Sequence, residues 1–279
     1  MLALFTPEAL FALENKGKTA KKPTITVPSE KCKTLKEALE KASPGDIIYL
    51  KEGSYKYDVS MGLKDNIEIF GDGADRTEII IGRSGMSLRS GVKFSNLSLK
   101  LTHGYITMYE CEDIIITRCI ICGRGGLGLE IKESSNIEII NCTLVDLMDA
   151  ISFCYSPTQA TIRNSIIANN RGFGIIAKGG PERTKYDPET GELVIIPPGD
   201  IRDIKINLYY NNFWNNRHNY CGCLPGENDI FVDPKFVSED DYHLQADSPC
   251  IDAGDPSPKY KDPDGTRCDL GALPYLGPR

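Results

Sequence analysis

A short β-rich run returns along this chain at a nearly constant interval, and that interval restricts the fold more than any other feature. Val92-Lys-Phe-Ser-Asn96 is followed by Ile114-Ile-Ile-Thr-Arg118, Ile137-Glu-Ile-Ile-Asn141 and Ala160-Thr-Ile-Arg-Asn164. The runs end at 96, 118, 141 and 164, steps of 22 or 23, and the pattern resumes after an insertion as Ile204-Lys-Ile-Asn207. Short Ile-rich runs of alternating polarity are strands, and an apolar spacing of two excludes a helical solenoid. The unit is too short for a propeller blade, which needs about 40 residues or more, and it lacks the fixed leucines of a leucine-rich repeat. It fits one coil of three short strands and three bends, each coil stacking on the last.

A second strand family follows each bend. Tyr105-Ile-Thr-Met-Tyr109 aligns with Gly128-Leu-Glu-Ile-Lys132, Ala150-Ile-Ser-Phe-Cys154 and Gly174-Ile-Ile-Ala-Lys178. Strand side chains alternate, so Ile106/Met108, Leu129/Ile131, Ile151/Phe153 and Ile175/Ala177 point inward. Thr107/Tyr109, Glu130/Lys132, Ser152/Cys154 and Ile176/Lys178 then form one outward strip, with rungs about 4.8 Å apart. The asparagines at 96, 141, 164 and 207 are read as a column that satisfies backbone groups at the bends, with Arg118 as the one different rung.

Both ends of such a stack need covering. Thr34-Leu-Lys-Glu37 is a capping box that opens a helix over 35–42, placed to lie on the first coil. Pro44-Gly45 ends it before the strand 47–50. From Asp229 to Tyr275 the chain is rich in Pro, Gly and Asp and reads as an irregular wrap over the last coil. The organisation is therefore an N-terminal segment (1–23), a coiled region with its capping helix (24–228) and a C-terminal cap of the same domain (229–279). Residues 1–12 are mostly apolar without a basic flank, so they are either an amphipathic helix or the end of a secretion signal. Residues 14–22 read as a linker.

Several of these segments resemble one family. Thr34-x-x-Glu-Ala, Ala42-Ser-Pro-Gly-Asp-Ile-Ile-Tyr-Leu-x-x-Gly53-x-Tyr55 and Ile69-Phe-Gly-Asp-Gly73 look like the first turns of the right-handed parallel β-helices of the pectin-lyase-like superfamily. Tyr210-Asn-Asn-Phe-Trp-Asn215 is similar to a late-coil signature. Asp233-Pro-x-Phe, Tyr242-His-Leu, Ser248-Pro-Cys-Ile-Asp-Ala-Gly254 and Asp264-Gly-Thr-Arg-Cys-Asp-Leu-Gly271 resemble the C-terminal cap of many bacterial members. The resemblance spans roughly residues 24 to 275 and implies an all-β, single-stranded solenoid with an N-terminal capping helix and an irregular C-terminal cap. These motifs are bends and caps, so they speak to fold and not to activity. The Gly-His-Gly turn of polygalacturonases is absent. So are the Trp-x-Asp-His and Arg-x-Pro-x-x-Arg segments of the best-known pectate lyases, and the residue set of pectin methylesterases has no counterpart in register.

Composition narrows the partners. A net charge of -7 opposes nucleic acid, whose phosphates need a basic surface. No apolar run reaches the roughly 18 residues of a membrane span. An acidic polymer is compatible, because a basic strip can sit on an acidic protein. Ten cysteines admit two readings: small buried hydrophobes, or disulfides formed in an oxidising compartment. Cys119 and Cys142 share a coil position, either as stacked thiols or as a disulfide. Cys250 and Cys268, both in the cap, are the preferred disulfide candidates.

In the family, sugar-binding clefts run along the outward strip. Here it carries Glu130, Lys132 and Lys178, flanked by Asp146, Asp149 and Arg171, beside a long insertion at 179–200. Tyr105, Tyr109 and Tyr186 are placed to stack on sugar rings. These residue types suit β-elimination on a uronate polymer. Lys132 or Lys178 would take the α-proton, Arg171 would clamp the carboxylate, and Asp146 with Asp149 would hold Ca²⁺. Hydrolysis by Glu130 and Asp149 is the rival, needing carboxyls roughly 5–9.5 Å apart. A non-catalytic surface or adhesive scaffold is the alternative to both. Asp262-Pro-Asp264-Gly265 is either an Asx-stabilised cap turn or a calcium-loop fragment. An acidic polysaccharide ligand and the cysteine count together point to a secreted, periplasmic or cell-surface protein.

Overall fold

The computed structural model describes residues 23–180, 183–186, 193–196 and 200–277, the two short internal pieces by backbone alone. Its strands form three parallel sheets, of eight, seven and six strands among the described residues, and each coil contributes one strand to each sheet in turn. Sheet A runs from Ile25–Val27 to Ile204–Tyr209, sheet B from Gly53–Tyr57 to Asn212–Trp214, and sheet C from Met86–Ser87 to His218–Cys221. Register follows the repeat: Ile115 pairs with Glu138 and Ile137 with Ala160, while Lys132 pairs with Tyr109 and Cys154 with Lys178.

Inward residues stack like upon like. On sheet A, Ile69, Phe94, Ile116, Ile139, Ile162 and Leu208 follow one another, all buried. Each such side chain is worth about 1.5–3 kcal/mol when fully buried.

The bends explain the asparagines differently from the expectation. At the corner between sheets A and B, Asn96, Arg118, Asn141, Asn164 and Tyr210 all have φ between 49° and 55°. Asn tolerates this left-handed region better than most residues. Tyr210, not Asn207, holds the fifth position, because Tyr209 pairs with Arg163 and Asn207 pairs with Thr161 on the strand itself. The asparagine amides also serve the C-terminal segment: Asn141 Nδ2 donates to the Asp269 carbonyl and Asn164 Oδ1 accepts from Asp255 N–H. The Arg118 charge opposes the rise of the buried Asp262 carboxyl in the cap.

The capping helix is Leu35–Lys41, with Thr34 Oγ1 accepting from Glu37 N–H and Leu35, Ala38 and Leu39 buried. Reciprocally, the Glu37 carboxylate takes the N–H of Lys33.

The C-terminal segment does not simply cover the last coil. It folds back along the outer face of sheet B, burying Val145, Ile166 and Ala168 against Leu244, Cys250 and Leu270. Farther back, Ala272 packs on Ala74 and Ile120. Ala272 N–H donates to Thr143 Oγ1, and Arg163 pairs with Asp255 while lying over the Tyr209 and Tyr260 rings. Sheet B strands such as Thr143-Leu-Val145 and Ile166-Ile-Ala168 are apolar on both faces, as a doubly covered strand must be.

All ten cysteines are unpaired thiols in this structure. Cys250 and Cys268 are buried in the cap but face different partners: Asn212 Nδ2 donates to the Cys250 sulfur, and Cys268 meets the Asp255 carbonyl. Burial pushes both thiols up to about 12. Cys119 and Cys142 are stacked, buried thiols in register. The cysteines are thus mostly small core residues and carry no information about compartment. Among the described residues, no helix is long and apolar enough to cross a membrane.

Asp262 gives the cap a pH dependence. Burial, then the neighbouring Asp269, raises its carboxyl from 3.8 to about 7. Folding therefore takes up a proton between about pH 4 and pH 7, and this group's contribution to stability falls as pH rises through about 7. Asp262→Asn should raise the thermal midpoint at pH 8 relative to wild type and leave it nearly unchanged at pH 4. A larger gain at pH 4 than at pH 8 would refute the assignment. In the core, Ile139→Ala should cost about 2–5 kcal/mol, read from denaturant unfolding.

Candidate functional site

With sheet B covered, the outer face of sheet C is an open surface on which charged and aromatic side chains stand in register. Its strands alternate (Ile106-Thr-Met-Tyr109, Leu129-Glu-Ile-Lys132, Ile151-Ser-Phe-Cys154), which puts every second side chain outside. One outward column reads Thr107, Glu130, Ser152, Ile176, Cys221; the next reads Tyr109, Lys132, Cys154, Lys178. The expected strip is therefore present, with one departure: Ile176 is outward yet buried.

Lys132 and Glu130, two residues apart on one strand, form an ion pair of 2.8 Å, both side chains partly buried. The Lys132 ammonium also lies 6.0 Å from the centre of the Tyr155 ring. Tyr155 sits at the corner after sheet C with φ 66°, and its ring lies over Gly180, where a Cβ would come within 1.7 Å of it. Lys178 is exposed and makes no ion pair among the described residues. Between the lysines, the Cys154 thiol is pushed up, first by burial and then by Glu130, with Lys178 and Lys132 opposing. It is therefore not an activated nucleophile.

Other expected residues are dispersed. Arg171 is exposed on the turn entering sheet C, its N–H bonded to the Leu147 carbonyl. It lies seven residues before Lys178, roughly 20 Å along the strand. Asp146 accepts from the Tyr242 hydroxyl of the C-terminal wrap at 2.9 Å, and Asp149 accepts from Phe173 N–H at 2.8 Å. One carboxylate thus holds the wrap and the other the next coil, leaving one oxygen each for a cation. No cluster of three or more His, Cys, Asp or Glu among the described residues is arranged around a metal position. Register sets Asp149 opposite Leu127, three residues from Glu130. That is roughly 10 Å along the strand, and Glu130 is paired with Lys132.

Tyr109 is 40% exposed and adjoins Lys132. Tyr105 instead lies against Gly85, filling the space of its missing side chain. The insertion forms an antiparallel hairpin of Arg183–Tyr186 and Leu193–Ile196; the Tyr186 side chain lies outside the described residues.

Sequence reasoning missed two features of this face. Tyr155 lies just beyond the aligned strand, where only its position in the bend reveals a role. Phe173 and His218 stack at 5.1 Å on the last two strands. Their pairing spans the insertion, so the 23-residue period does not connect them.

The family described as "Right handed beta helix region" matches residues 47–186. A pectate lyase, Pel9A, is similar in structure at 12% identity and a TM-score of 0.35, over 91% of this chain and 97% of that one. A pectin methylesterase in complex with a hexasaccharide is similar at 11% identity and 0.30, over 82% and 95%. The pectin methylesterase PemA from Erwinia chrysanthemi is similar at 11% identity and 0.27, over 81% and 94%. At such identities and scores these likenesses say nothing about what this chain binds. No curated protein matches it.

Cys221 is the one exposed cysteine. Brief alkylation of the native protein should label Cys221 first, and alkylation after unfolding without reductant should label all ten. Retention of a 250–268 link under those conditions would contradict the free thiols of the cap.

Proposed function

The chain belongs to the right-handed β-helix family, and on that scaffold we propose an extracytoplasmic glycan-binding protein whose ligand, an acidic polysaccharide, lies along the outer face of sheet C. The supporting observation is the column Tyr109, Lys132, Cys154, Lys178. It sets two ammonium groups two rungs apart, roughly 10 Å, with an exposed aromatic ring at one end. A uronate chain running along the stack meets a positive charge at every second rung and an aromatic face beside it. The partly buried Glu130–Lys132 pair holds that ammonium in place. Extracytoplasmic placement follows from the ligand, a polymer met outside the cell.

Cleavage by β-elimination is the second reading, favoured by Lys178, which has no carboxylate partner among the described residues. In its neutral form it would take the proton α to the uronate carboxylate. The electron pair left behind forms the new C=C bond and the glycosidic oxygen departs. Lys132 would offset the carboxylate charge, with Ca²⁺ as an added counter-charge where the polymer brings it.

Affinity electrophoresis against uronate polymers tests binding. Lys132→Gln/Lys178→Gln should weaken retention at least about tenfold with an unchanged thermal midpoint, and wild-type retention should fall with salt. Retention untouched by the double variant would move the ligand off this face. Unsaturated product, followed by ultraviolet absorbance with and without Ca²⁺, tests cleavage. A rise abolished by Lys178→Gln supports elimination, whereas a flat trace with intact binding leaves a non-catalytic binder.

A further inference from the structure

The outer face of sheet A carries a second concavity, of about 360 Å³, separate from the strip on sheet C. That volume falls in the usual range for small-ligand sites, about 300–1,000 Å³. Two columns of side chains line it. One is the corner leading into sheet A, where Asn66, Gly91, Asp113 and Asn136 succeed one another on neighbouring coils, all with φ between 54° and 71°. The other is the strand column Lys93, Ile115, Glu138 on three consecutive rungs.

The corner column carries a side chain on every coil except at Gly91. Asn66 leans into the space of the missing side chain: a Cβ on Gly91 would lie 2.1 Å from Asn66 Oδ1. On the next two coils, Asn136 Nδ2 donates to Asp113 Oδ1. That bond ties the pair together and leaves Asn136 Oδ1 and the second Asp113 oxygen as acceptors. Across the groove, Lys93 supplies a donor and Glu138 an acceptor, with half-buried Ile115 between them as an apolar floor.

This lining has the chemistry of hydroxyl recognition. Amide, carboxylate and ammonium groups stand at rung spacing around a small apolar patch, so hydroxyls can bond the rim while the C–H face of a sugar ring rests on Ile115. The charge count separates it from sheet C. One lysine faces Asp113 and Glu138, so the groove does not attract a polyanion. We infer that the sheet A groove binds a neutral, hydroxyl-rich saccharide, independently of any acidic polymer on sheet C.

Affinity electrophoresis of the full chain through gels containing a neutral glucan, galactan, mannan or xylan tests this. At least one neutral polymer should retard the protein. Asp113→Ala/Glu138→Ala should weaken that retardation at least about tenfold with an unchanged thermal midpoint, and Lys132→Gln/Lys178→Gln should leave it intact. No retardation by any neutral polymer overturns the inference. So does retardation that survives Asp113→Ala/Glu138→Ala, or loss of uronate rather than neutral-polymer binding in that variant.

Discussion

Everything in this molecule depends on parallel, in-register hydrogen bonding between one coil and the next. A parallel pair cannot be closed by a tight hairpin; the chain has to travel round before it returns alongside itself. Three short strands with three sharp corners make that circuit in 22 or 23 residues, and left-handed residues at the corners make the bends tight enough. Asn96, Asn141 and Asn164 adopt that conformation readily; Arg118 and Tyr210 adopt it because the strands on either side leave no other path. Once register is fixed, like side chains stack inside, and the outside becomes a set of columns with a fixed spacing.

The second organising fact is which faces stay uncovered. The C-terminal wrap lies on sheet B and takes its outward apolar residues out of solvent. Among the described residues nothing covers the outward columns of sheets A and C, and their chemistry differs. Sheet C sets two lysines beside Tyr109, with Glu130 holding one of them. Sheet A sets amides and carboxylates around Ile115.

The coil period, the strands of sheets A and C, the capping helix and the outward set Thr107 to Lys178 were legible because each rests on local patterning. Sheet B left a signal that went unread: Ile120-Ile-Cys122, Thr143-Leu-Val145 and Ile166-Ile-Ala168 do not alternate in polarity, the mark of a strand covered on both sides. The fifth corner was misplaced by three residues, at Asn207 instead of Tyr210, because the insertion breaks the count and an asparagine happened to lie nearby. Arg171 and Lys178 are near in sequence but well separated along one strand. Closeness in sequence is distance in space along a strand, and only residues one coil apart are neighbours.

The sequence by itself determined that this chain coils, how many residues each coil takes, and which side chains of a regular strand face outward, because alternation and period are properties of the chain alone. Only the tertiary structure decided where the C-terminal segment lies. Only it decided that Asp146 serves Tyr242 while Asp149 serves Phe173, and that Asn66 leans into the space beside Gly91. Those outcomes depend on contacts between distant segments, such as Thr143 with Ala272, 129 residues on, settled by shape and burial, to which no local pattern is sensitive.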